Sequence, residues 1–181
     1  MSELVFVTGN QHKAEMASKM LGVAVGYQKV DVPEIQSLDL REIIEFKLRE
    51  AYKITGKTVI VEDVSSEFSE LGRLPGTLVK FFVDEMGVEK MCGLIGSNRK
   101  AVVKCILGWT DGKDVQFFEG RLDGQIADQP RGKGGFGFDK IFVPNGFGGK
   151  TAAELTDEEY DEYYSQTKRF DKMKEFIGGG K

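Results

Sequence analysis

Residues 4–8 read as a buried strand that breaks off in Thr8-Gly9-Asn10 and opens a helix at Gln11-His12-Lys13. Such a turn gathers free backbone N–H groups and the positive end of the helix dipole around one point, which is chemistry for an anion. Gly9 lets the backbone come close, Thr8 and Asn10 add a hydroxyl and an amide, and Lys13 supplies a full charge. The same residues also describe an ordinary capped turn with a surface lysine.

Carboxylates and a second lysine come next. Glu62-Asp63 follows the apolar run at 58–61, at the strand end where open α/β sheets usually bind ligands. Alternation sends the two carboxylates to opposite sides, so at most one of them faces a given site. Glu34, just after a second strand, is a candidate to join in binding Mg²⁺; the bland reading of such carboxylates is solvated loop. Lys47 falls on the apolar stripe Leu40, Ile43, Ile44, Ala51, Ile54, where a hydrophobe belongs. It either snorkels past the sheet edge or reaches a buried anion.

The segment Gly132-Lys133-Gly134-Gly135-Phe136-Gly137 matches G-x-G-x-x-G, but no helix pattern follows, so the dinucleotide reading fails. Gly149-Lys150-Thr151 imitates the end of a P-loop, with Pro144 where the first glycine is required. What remains is a Gly-rich loop carrying Phe136 and Phe138, suited to lying over a flat base or to packing in the core. The acidic run from Glu154 to Glu162 and the basic Lys168, Arg169, Lys172 and Lys174 read mostly as a solvated helical face.

The elements that must position these groups alternate early. Helix is expected over 11–21, strand over 23–32, and helix over 40–55 with Asp39 as cap, Glu42 completing a capping box and Gly56 as stop. Strand 58–61, helices 77–86 and 88–94, and a hairpin of strands 100–109 and 114–126 around Thr110-Asp111-Gly112-Lys113 follow. A short strand at 141–143 and helical sequence over 151–177 complete the chain. The expectation is an α/β protein of three layers with a long mixed central sheet. Residues 1–177 form a single domain and 178–181 a flexible tail.

Composition narrows the chemistry. The chain has 181 residues, 40% of them hydrophobic, enough for a real core. Lys and Arg number 25 against 29 Asp and Glu; the net charge of −4 leaves no footprint for duplex nucleic acid or an anionic membrane. One histidine, His12, cannot furnish a His-rich metal site and makes a Ser-His-Asp triad implausible, so a metal would be a hard ion held by carboxylates. Two cysteines without paired spacing, no signal-like segment and no apolar run near the roughly 20 residues of a membrane span point to the cytoplasm.

Taken in order, TGNQHK, PEIQ, EDVSSEF, GRLPGTLVKFF, PRGKGGFGFDKIFVPNG and KTAAEL resemble the inosine triphosphate pyrophosphatase family over nearly the whole chain. The resemblance implies a two-lobed α/β fold with a substrate cleft between the lobes, a homodimer, and Mg²⁺-dependent cleavage of a deaminated purine nucleoside triphosphate to monophosphate and pyrophosphate. It implies a triphosphate cradle at Thr8, Gly9, Asn10 and Lys13, inward lysines at Lys47 and Lys80, a metal ligand at Glu34, and a metal-linked, water-activating carboxylate at Asp63. Phe136, Gly137, Phe138 and Asp139 match its base platform.

Departures touch the ends of the expected substrate. Val64 follows Asp63 where the family has Thr or Ser, and Ser165-Gln166-Thr167-Lys168-Arg169 stands where it carries Ser-His-Arg. The region of Tyr160-Asp161 replaces its late lysine. Gln166 and Arg169 are therefore the candidates to read the base, with Lys168 as a further substitute. A sensor that binds nucleotide without turnover, or a pyrophosphatase of altered base specificity, are the alternatives.

Overall fold

The computed structural model describes residues 3–179. In chain order the elements are β1 (Leu4–Val7), α1 (Gln11–Leu21), β2 (Gly26–Gln28), α2 (Leu40–Thr55), β3 (Thr58–Phe68), β4 (Pro75–Gly76), α3 (Val79–Met86), α4 (Val88–Gly93), β5 (Lys100–Thr110), β6 (Val115–Ile126), β7 (Phe142–Pro144), α5 (Asp157–Lys168) and α6 (Phe170–Gly179). The strands form one mixed, seven-stranded open sheet in the order β2-β1-β3-β5-β6-β7, with β4 paired to β3. Pairing is parallel for β1 with β2 and with β3, and antiparallel for β3 with β4 and β6 with β7. The α/β class and the mixed sheet are as the sequence predicts.

The chain divides into two compact units. Unit 1 holds residues 1–63, 105–119 and 168–181; unit 2 holds 64–104 and 120–167. Unit 1 has its own core, in which Leu40, Ile44, Leu48 and Ala51 of α2 pack on Val5, Val7, Val59 and Val61. These strand residues share one parity, so they share one face. Phe6 and Ile60, of the other parity, are fully buried on the opposite face. Helix α1 buries Ala14, Ala17 and Leu21 and packs along α6. Unit 2 is built around Phe68, Met91, Ile126, Ile141, Phe142 and Tyr163.

Local signals place several boundaries. The Asp39 carboxylate accepts from the Arg41 and Glu42 N–H groups, and Gly56, at φ 63°, ends α2. The expected capping box is not closed, because the Glu42 carboxylate accepts from the Ser37 hydroxyl (2.7 Å) instead. In the β5–β6 turn Asp111 Oδ1 accepts from the Lys113 and Asp114 N–H groups (both 2.9 Å). Gly112 there has φ 91°, and a Cβ on it would run into the Tyr52 ring.

Other expectations give way. The strand predicted over 23–32 contracts to Gly26–Gln28, since its sole neighbour, β1, offers only three registered pairs. Val30 and Val32 still pack on the unit 1 core. Strand β3 runs on past Val61 to Phe68, supported by Ser66↔Gly76 and Glu67↔Pro75, so Glu62 and Asp63 lie within a strand rather than beyond one. The helix expected over 151–177 is broken at Arg169, whose φ of 50° is left-handed and cannot continue an α-helix. Gly178 and Gly179, expected in a tail, close α6; Gly180 and Lys181 lie outside the described residues. No helix among the described residues is long and apolar enough to cross a membrane.

Candidate functional site

Strand β1 is where the sheet reverses direction of growth: the chain leaves it through α1 to β2 on one side and returns through α2 to β3 on the other. The carboxyl end of such a strand opens a crevice. Registered pairing carries β1 alongside β3 as far as Phe6↔Ile60, and β3 continues beyond, presenting Glu62 and Asp63 past the end of its neighbour.

Alternation then assigns each carboxylate a helix. Asp63 shares parity with Val59 and Val61 and faces α2, where Lys47 Nζ donates to Asp63 Oδ2 (2.7 Å). The same ammonium lies 3.0 Å from Glu34 Oε1. Lys47 therefore does turn inward, and the anions it meets are the two carboxylates named as metal ligands. Its side chain is 16% exposed, against 25% for Asp63 and 66% for Glu34, so this group opens to solvent at one end. Burial by itself would lower the Lys47 pKa, but Asp63 and Glu34 more than reverse it, and the value lies above the ordinary 10.5.

Glu62 shares parity with Ile60 and faces α1. Its carboxylate, 1% exposed, takes Lys13 Nζ at 2.6 Å and Lys168 Nζ at 3.0 Å, both on Oε1. Burial raises the Glu62 pKa, Lys168 and then Lys13 outweigh burial, and the result is about 2. Cys105 is enclosed beside this group, and desolvation pushes its thiol up to about 12, which makes it inert. Lys13 is thus not the unengaged cation the sequence implied. Nor was the role of Glu62 visible in sequence, beyond the alternation that set it apart from Asp63.

The turn at the mouth of β1 is capped by its own side chains. The Asn10 N–H donates to Thr8 Oγ1 (3.1 Å) and the His12 N–H to Asn10 Oδ1 (3.0 Å). Gly9 is different: a Cβ placed there would meet nothing within 4 Å, and its φ is not among the positive ones. Neither packing nor conformation asks for glycine at this position.

In unit 2, Asp139 lies in the one-turn helix Gly137–Lys140 and is 3% exposed. It accepts from the Phe136 N–H (2.9 Å), the Tyr160 hydroxyl (2.9 Å) and, at 3.5 Å, the Tyr163 hydroxyl. Asp139 thereby fixes the loop instead of offering itself outward, and a Cβ on Gly135, at φ 64°, would lie 2.5 Å from its Oδ2. Phe136 is more than half exposed, whereas Phe138 packs edge-on against Phe142 at 6.4 Å. Of the two aromatics Phe136 presents the more exposed ring, and Phe138 is partly buried.

The remaining candidates lie as follows. Lys80 is exposed on α3, not inward, because the helix starts at Val79 and buries that residue in its place. Thr167 is buried and its hydroxyl donates to the carbonyls of Tyr163 (2.9 Å) and Tyr164 (3.2 Å); Gln166 is exposed and bonded to Glu162 (3.0 Å). Arg169 closes its fork on Asp171 with two bonds of 2.9 Å. Lys168, entertained as a reader of the base, is committed to Glu62. Val64 packs against the unit 2 core, and the neighbouring Ser65 and Ser66 hydroxyls are buried with no hydrogen-bond partner among the described residues.

No cluster of three or more His, Cys, Asp or Glu side chains fit for a metal occurs among the described residues. The pair Glu34 and Asp63 nonetheless suits a hard divalent cation: both are oxygen donors, and both already converge on one positive charge, the Lys47 ammonium. Two carboxylates with water and substrate phosphate completing the shell is the usual manner for Mg²⁺.

Known proteins carry the same arrangement of chain. The Ham1 family profile matches residues 4–176. The chain is similar to inosine triphosphate pyrophosphatase 2 of Trypanosoma cruzi, with 40% identity over 162 residues, 87% of this chain and 83% of that one. It is 38% identical to the dITP/XTP pyrophosphatase of Thermococcus kodakarensis over 161 residues, 86% of each. In structure it resembles the Ham1 protein of Staphylococcus aureus, with a TM-score of 0.83 and 26% identity over 99% of this chain and 100% of that one. A HAM1 protein from Coxiella burnetii shares the fold at a TM-score of 0.84 and 23% identity, again over 99% and 100%. On sequence and architecture together, the chain belongs to the Ham1 family.

Proposed function

We propose that the protein hydrolyses deaminated purine nucleoside triphosphates, those of inosine, deoxyinosine and xanthosine, to monophosphate and pyrophosphate, and so clears them from the nucleotide pool. The observation that carries this reading is Lys47, drawn between Asp63 and Glu34 beyond the end of β1. Family membership and the names of the relatives supply the substrate class.

Thr8, Gly9, Asn10 and Lys13 would take the phosphates, displacing the side-chain caps that now occupy the Asn10 and His12 N–H groups. Glu34 and Asp63 would hold Mg²⁺, which when bound neutralises phosphate charge and orients water. Asp63 accepts the proton of the attacking water as the bridge between the α- and β-phosphates breaks and pyrophosphate leaves. Lys47, kept cationic by its two carboxylates, holds Asp63 in place and balances charge at the phosphates. Phe136, followed by Gly137, offers its exposed ring to the base on a loop fixed by Asp139.

Base choice is the less constrained half. Thr167 is spent on backbone carbonyls, Gln166 can donate or accept, and Arg169 is held by Asp171. Discrimination between 6-oxo purines and adenine is therefore narrow. The decisive assay is pyrophosphate release from inosine, xanthosine, guanosine and adenosine triphosphates, with Mg²⁺ and with chelator. Release of orthophosphate instead, or binding without turnover, would sink the proposal, the latter in favour of a sensor.

A further inference from the structure

Two ammonium groups share one oxygen of Glu62. Lys13 and Lys168 both lie on Oε1, at 2.6 and 3.0 Å, while Oε2 is buried with no hydrogen-bond partner among the described residues. One carboxylate needs one counter-charge, and a second cation is repelled by the first, so the group carries an excess of one positive charge. The two lysines are not equivalent. Lys168 is 6% exposed, whereas Lys13 is 26% exposed and sits in the first turn of α1, behind the Thr8-Gly9-Asn10 turn.

We infer that Lys168 is a positioning residue that neutralises Glu62 permanently, so that Lys13 can leave this carboxylate for an anion at the turn, with Glu62 holding Lys13 only while that anion is absent. A buried carboxylate stripped of its last cation is costly. Without Lys168, Lys13 would be that last cation and would stay where it is. With Lys168 in place, release of Lys13 leaves a one-to-one pair behind. The identity of the anion as nucleotide triphosphate rests on the function proposed above; the exchange itself does not.

The first test reads Lys13 directly, as its acylation rate in the nucleotide-free protein, followed by peptide mass spectrometry with thermal melting as the check on folding. In Lys168→Met the rate at Lys13 falls several-fold, and in Glu62→Gln/Lys168→Met it returns to the native value or above. An unchanged rate in Lys168→Met overturns the inference whatever the substrate is. The second test is kinetic: KM for inosine triphosphate rises roughly tenfold or more in Lys168→Met, with a smaller change in kcat. Lys168→Arg, which keeps the permanent charge, and the double variant both bring KM back toward native. If KM stays high in the double variant, Lys168 acts on the phosphates themselves and the exchange is wrong. A native protein that releases no pyrophosphate would defeat the proposed activity, while the acylation test still decides the exchange.

Discussion

Adjacent residues on one strand, Glu62 and Asp63, meet lysine in opposite ways. On the α1 face Glu62 is sealed and holds two ammonium groups on one oxygen; on the α2 face Asp63 is a quarter exposed and shares one ammonium with the mostly exposed Glu34. The first arrangement has surplus positive charge and the second has surplus negative charge. Burial decides what each can do. A sealed carboxylate fixes other side chains, while one reached by water can accept a proton or a metal.

The largest effect should come from Asp63→Asn, which keeps size and loses the ability to take a proton from water. Turnover should fall by about 10²–10⁴-fold with the melting temperature nearly unchanged. Near-native kcat would erase the distinction between the faces. Glu62→Gln should do the reverse, lowering stability by about 3 kcal/mol in chemical denaturation because two largely enclosed lysines lose their anion. A variant as stable as the native chain would show that the α1 face is not held by this carboxylate.

Lys47→Met is gentler. A hydrophobe suits the α2 stripe, so stability should stay within about 1 kcal/mol, while KM rises because the phosphates lose a cation. An unchanged KM would leave Lys47 as a strut for Asp63 alone.

The finest contrast is in pH. Glu62 is depressed from 4.5 to about 2, so its contribution is complete above 4.5 and is lost as pH falls toward 2. Lys47 is raised above 10.5, so its contribution is complete below 10.5 and is lost as pH climbs through the raised value. Denaturation of metal-free protein across pH should therefore show the Glu62→Gln variant less sensitive than the native chain at the acid end, and Lys47→Met less sensitive at the alkaline end. Equal sensitivity of both variants at either end would contradict the assignment.

Much of unit 1 is legible in the residues. The bounds of α1 and α2 follow from Asn10, Asp39, Gly22 and Gly56, whose side chains or left-handed backbone act on their own neighbours. The inward turn of Lys47 follows from helical period, and the separation of Glu62 from Asp63 from strand alternation. Less was legible in the candidates carried by the later helices. Lys80, Gln166, Thr167 and Arg169 depend on where a helix begins or breaks, and one residue of slip rotates a helical side chain by about 100°.

What the sequence determined by itself is therefore local: the phosphate-suited turn, the caps, the hairpin turn and the periodicities, because each is written within a few residues of chain. What only tertiary structure decided is pairing across long separation. Lys13 lies 49 positions from Glu62, and Lys168 joins them from the far end of the chain. Strand β3 could run through two charged residues because β4 and β5 supply its partners, a matter of sheet order and not of the residues themselves. Charge and period constrain which groups can meet; only the packed sheet fixes which of them do, since that is where desolvation makes an unpaired charge costly.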